Sequence, residues 1–171
     1  MDGLKKLLAL PVSDDAVREV LLRQIFITII GAVETYLCDA FVNEVLSCRH
    51  KLRRFVETHP DFKRMKFSLS EVFAEYEFVE GKAKEVMLGT VYHQLPKIKA
   101  MYEDALKINF PDISVMQRFV TQRHDLVHRN GKTATGEKVL LNHQVIVDLQ
   151  EAAVCLVDSV SSQLELEDIP F

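Results

Sequence analysis

Residues 21–46 read LLRQIFITIIGAVETYLCDAFVNEVL. No proline interrupts them, and the one glycine is Gly31. Leu21, Ile25, Thr28, Ala32, Thr35 and Asp39 follow one another at helical steps. The stretch predicts a helix from Ala16 to about Arg54. Between Ile25 and Val33 apolar residues cover almost the whole circumference, which means burial on more than one side. One side is then the core and the other a subunit interface. The run IFITIIGAV at 25–33 is shorter than the roughly 20 residues needed to span a bilayer, and it runs into Glu34 and Asp39. No membrane segment is expected.

Working outward, Pro11 and Ser13-Asp14-Asp15 mark the helix entry, with a carboxylate to cap free N–H groups. THPD at 58–61 breaks the helix. Ser68-Leu-Ser-Glu71 has capping-box spacing for a second helix, with Val72, Phe73, Tyr76 and Val79 as its apolar face. Gly81 and Gly89 weaken the run that follows, and Pro96 kinks or ends it. A further helix is expected over Ile98–Ile108. NFPD at 109–112 is a loop, and Asp112 or Ser114 caps a helix from Ile113 to about His128. RNGKTATGE at 129–137 is a polar turn that can close a short hairpin with Val139 and Leu140. Asn142 caps a last helix reaching about Leu164. The expected fold is all-α: a four- to five-helix up-and-down bundle with long first and last helices. It forms a single domain over 1–171, with an N-terminal arm at 1–15 and an acidic tail at 165–171.

Length and composition agree with one soluble globular domain: 171 residues, 48% hydrophobic. Cys38, Cys48 and Cys155 lie too far apart for a disulfide framework or a zinc pattern. That suits a reducing cytoplasm. MDGLKKLLALPVSDD has too short an apolar run for a secretory signal. The net charge of −4 recruits no nucleic acid globally, but positive patches exist. Arg49, Lys51, Arg53, Arg54, Lys63, Arg64 and Lys66 form one, and Arg118, Arg123, Arg129, Lys132 and Lys138 another. Arg49 to Arg54 either complement the C-terminal end of a helix dipole or contact phosphate; the two are compatible.

Several chemistries fail on spacing. GKT at 131–133 is no phosphate loop, because Leu126 stands where that loop needs glycine. No Gly-rich dinucleotide fingerprint or nucleophile elbow occurs. RHDLVH at 123–128 is the remaining concentration of chemistry. His124 and His128 share one helical face. They could hold a metal, but the zinc-protease glutamate is absent and a third ligand from Glu34, His50 or His143 is unforced. Arg123 and His128 stand about 140° apart on an ideal helix. They converge only if the helix end distorts or a second subunit completes the site. An arginine fork grips phosphate, and an imidazole exchanges protons near neutral pH. Together they can cleave RNA without metal: a base takes the 2′-hydroxyl proton, and that oxygen attacks the adjacent phosphorus. The plain alternative is a polar, exposed helix end.

RHDLVHRNG resembles the signature of the HEPN superfamily: arginine, a polar residue, then histidine after four to six intervening positions. AVETYLCDAFVNEVL at 32–46 resembles the first long helix of several HEPN groups, with an acidic residue in an apolar helix. The resemblance implies a metal-independent RNA endonuclease with no cofactor, acting as a homodimer whose two motifs face one another in a positive cleft. Such proteins belong to antiviral and toxin modules, so an antitoxin or other defence-system protein is a further partner. His128 would be the acid/base, Arg123 the phosphate-binding partner, and His124 would orient one of them or the RNA. Some toxin-type relatives carry a modifiable tyrosine two positions after the histidine. Here that position is Asn130.

Glu34, a charge in the apolar first helix, is costly unless paired; it is expected to hold Arg123 or His128, or else to meet Arg23 or solvent. Asn130 could bond the histidine or simply form the turn. Arg118, Arg129 and Lys132 are the expected RNA-backbone contacts. His50, His59, His93 and His143 are set aside as non-catalytic, and Asp125 as helix surface. The alternative function is a non-catalytic HEPN-like dimerisation module that binds RNA or protein.

Overall fold

The computed structural model describes residues 2–9, 11–65 and 72–164, without the side chains of 2, 4, 5 and 72–77. It is all-α, as expected: among the described residues there is no strand, and one isolated bridge joins Lys132 and Lys138. The helices are α1 (Asp2–Leu8), α2 (Asp15–Ser47), α3 (Arg49–Thr58), α4 (Pro60–Lys63), α5 (Val72–Leu88), α6 (Leu95–Leu106), α7 (Ser114–His128) and α8 (His143–Leu164). The expected capping box at 68–71 and the acidic tail at 165–171 lie outside the described residues.

The chain divides into two compact units. The first combines Met1–Val33 with Asp112–Ser162, and the second is built on Glu34–Pro111. The boundary falls within α2.

In the first unit, α2 resolves its apolar circumference by size. Leu22, Ile25, Phe26, Ile29, Ile30 and Val33 are buried. Gln24, Thr28, Gly31 and Ala32 are exposed. Phe26 meets Phe119 edge to face at 6.1 Å, which adds about 0.5–1.5 kcal/mol to the burial itself. Met116, Val120 and Leu126 of α7 and Ile146, Leu149, Ala153, Leu156, Val157 and Val160 of α8 are buried with them. The Asn142 side chain caps α8 by accepting from the Val145 N–H at 2.9 Å, a contact worth about 1 kcal/mol. By length and composition α2 could cross a membrane, beyond what the run at 25–33 alone suggested. Of its most apolar window, 56% is buried inside the protein.

The second unit is organised around aromatic contacts. Phe41 packs against Phe55 at 5.5 Å and Tyr102 at 4.9 Å. The Tyr102 hydroxyl donates to the Leu37 carbonyl at 2.6 Å. The long first helix ends earlier than expected. Cys48 is extended (φ −142°, ψ 121°), and a new helix begins at Arg49. Arg49 and Lys51 therefore open a helix just beyond the C-terminal end of α2. Lys51 pairs with Glu44 across the break. Pro96 starts α6 in its first turn instead of ending a helix, a position where its missing N–H costs nothing.

Candidate active site

The candidate residues gather on α7 and the turn that follows. Asp112 starts this helix by accepting from the Ser114 N–H (3.1 Å) and hydroxyl (2.5 Å). The helix then stays regular to His128, where the Arg129 N–H bonds the Asp125 carbonyl at 3.1 Å. No unwinding brings Arg123 toward His128. The regular helix keeps them about 140° apart.

The side chains that do meet are His124 and His128. Their ring centroids are 4.8 Å apart with 44° between planes, and both residues are exposed. Val127 beside them is 39% exposed. Arg123 is partly buried, and its Nε is buried without a hydrogen-bond partner among the described residues.

Asp125 corrects the sequence reading. It is buried, not helix surface, and its Oδ1 accepts from Arg129 Nη1 at 2.5 Å. The i,i+4 spacing of acid and base was the signal that could have found this pair. Arg129 is consequently half committed to the fold. The Asp125 carbonyl also accepts from the Gly131 N–H at 3.0 Å, and Arg23 of α2 donates to the Leu126 carbonyl. The last carbonyls of α7 are thus capped by a turn on one side and a guanidinium on the other.

Asn130 serves the turn. Its φ of 53° is left-handed, followed by Gly131 at 76°, and asparagine tolerates that region better than other non-glycine residues. The hairpin expected at 129–140 is present as the Lys132–Lys138 bridge, with Thr133 N–H bonded to the Glu137 carbonyl at 2.8 Å. Lys138 anchors it to Glu19 at 2.7 Å. Lys132 is exposed with no ion pair recorded among the described residues. Arg118 is exposed but lines a groove with Asp148 and Glu151, whose carboxylates oppose a phosphate.

Glu34 belongs to the second unit, and its partner there is His93, with Oε2 and Nδ1 3.3 Å apart. Its Oε1 is buried without a hydrogen-bond partner among the described residues. Neither Arg123 nor His128 takes the expected role, and His93, set aside as a lone surface residue, does. Nearby, burial pushes the Cys38 thiol and the Tyr92 phenol above their ordinary values.

His59 was also underestimated. It is 5% exposed and meets Phe55 tilted at 5.1 Å and Phe62 edge-on at 6.0 Å. Its Nδ1 accepts from the Asp61 N–H at 3.3 Å, and Nε2 is buried with no hydrogen-bond partner among the described residues. Desolvation lowers its pKa, against a smaller opposing pull from Asp61.

Among the described residues no group of three or more histidines, cysteines or acids converges on a metal position. None of the family models, curated proteins or solved structures compared with the chain matches it significantly.

Proposed function

We propose that the chain is a metal-independent RNA endonuclease of HEPN type, working as a homodimer in a defence or toxin-type module. The observation that carries this reading is the end of α7: an exposed His128 with the His124 ring held against it at 4.8 Å. His128 is the acid/base that takes the 2′-hydroxyl proton and returns one to the leaving 5′-oxygen. His124 restricts its orientation. Arg123 binds the scissile phosphate and offsets the charge that develops on it. Its Nε has no hydrogen-bond partner among the described residues, so that donor is not committed to the fold. Lys132, on the turn directly after the helix, is available for the backbone of the RNA.

A regular α7 makes the second subunit necessary. Arg123 and His128 of one chain diverge, so each phosphate is gripped by the arginine of one chain and served by the histidine of the other. The same divergence favours the second reading, a non-catalytic HEPN-like module that binds RNA or protein.

Incubating the purified protein with total RNA in chelator separates the two. Cleavage by the parent, lost in Arg123→Ala and in His128→Ala, supports the nuclease. Binding without cleavage, unchanged in His128→Ala, supports the module.

A further inference from the structure

We propose that His124 and His128 form a two-histidine site for a borderline divalent cation (Zn²⁺, Ni²⁺ or Cu²⁺) whose binding silences the histidine pair. The second half rests on the nuclease reading; the binding itself does not.

The geometry is local and needs no partner. The two residues are one helical turn apart on a regular helix, with ring centroids 4.8 Å apart. A cation held by two imidazole nitrogens at about 2.0–2.1 Å brings those nitrogens to roughly 3 Å from each other. Both side chains are exposed, so rotation about their own side-chain bonds achieves this without moving the backbone. The helix is braced below the pair by Asp125–Arg129 and by Arg23 on the Leu126 carbonyl, which fixes the spacing.

Chemistry selects the cation. Imidazole suits zinc, copper and nickel, whereas magnesium and calcium seek oxygen ligands. The carboxylate of Asp125, between the two histidines in sequence, is buried and bonded to Arg129, so it does not draw a hard cation to the pair. With two protein ligands, the remaining coordination positions go to water. The site is therefore exchangeable rather than structural. A cation on His128 occupies the lone pair that would take the 2′-hydroxyl proton, and nuclease activity stops until the cation is removed.

The binding test uses the intact protein without RNA, and the silencing test repeats RNA cleavage by the parent with and without Zn²⁺. Zn²⁺, Ni²⁺, Cu²⁺ and Mg²⁺ are titrated by calorimetry into the parent, His124→Ala, His128→Ala and, as a control on another exposed histidine, His143→Ala. Histidine ring signals are followed by NMR with trace Cu²⁺. The expected result is one cation per chain, at least tenfold weaker in each of the first two variants and unchanged in His143→Ala and for Mg²⁺ absent in all. Cu²⁺ should broaden the His124 and His128 signals together and before the other histidines. Equal binding by parent and His124→Ala, or broadening that begins elsewhere, overturns the site. A cation that binds as expected but leaves RNA cleavage intact overturns the silencing. If no preparation cleaves RNA while binding behaves as expected, the nuclease reading fails and the cation site stands.

Discussion

Asp125 and Arg129 close the last turn of α7, Oδ1 and Nη1 2.5 Å apart, with the aspartate side chain only 9% exposed. The same residue's carbonyl receives two backbone N–H groups. One buried acid thus holds both the helix end and the turn that carries Asn130 and Lys132. Replacing Asp125 with alanine leaves a guanidinium without its counter-charge and should cost about 1–3 kcal/mol. Urea unfolding measures this directly. A loss no larger than that of an ordinary surface substitution, below about 0.5 kcal/mol, would show that the pair contributes little.

The left-handed backbone at Asn130 leads to a second expectation. Valine there should destabilise by about 1–2 kcal/mol, because its branched Cβ meets the following carbonyl. Glycine should stay within a few tenths of a kilocalorie of the parent, or exceed it, since it adopts φ near 53° without strain. Thermal unfolding of the two variants decides. Equal midpoints would mean that the turn relaxes on substitution and imposes no conformation.

His59 predicts a pH dependence with a definite sign. Burial among Phe55 and Phe62 lowers its pKa from the ordinary 6.5. The fold therefore resists a proton that the unfolded chain accepts. The stability involved is fully present above 6.5 and is lost as the pH falls through the lower folded value. His59→Asn keeps a helix-capping side chain but cannot titrate. Between pH 7 and about 5, the parent should lose more stability than this variant. Parallel curves would place the imidazole in water.

The cysteines should differ in reactivity. At Cys48 the Lys51 and His50 backbone N–H groups lower the thiol pKa, whereas burial raises that of Cys38. The thiolate is the nucleophile. Brief alkylation at neutral pH, read by peptide mass spectrometry, should therefore label Cys48 well before Cys38. The reverse order would contradict the extended Cys48 cap between α2 and α3.

Much of this fold was legible wherever a local rule decided it. Asn142 and Asp112 announced their helices because short polar side chains cap free N–H groups. RNGKTATGE announced a turn because asparagine and glycine accept positive φ. The break at Cys48 was not legible: SCRHK contains neither proline nor glycine, and the interruption answers to packing around Phe41 and Phe55. The α2 boundary between two compact units was equally hidden, since periodicity continues straight through it. At the candidate site, the sequence placed both histidines on one face of α7, and their rings do meet. It could not show that Asp125 turns inward or that Glu34 finds His93, because those partners depend on which residues the tertiary structure brings near.

Arg123 and His128 diverge on a regular helix, so on the proposed nuclease reading each site would draw one residue from each chain. Mixing Arg123→Ala with His128→Ala, each inactive alone, tests this on an RNA substrate in chelator. Random pairing makes half the dimers mixed, each with one intact site of two, so about a quarter of the parent activity should return. A mixture no more active than the separate variants would contradict the account.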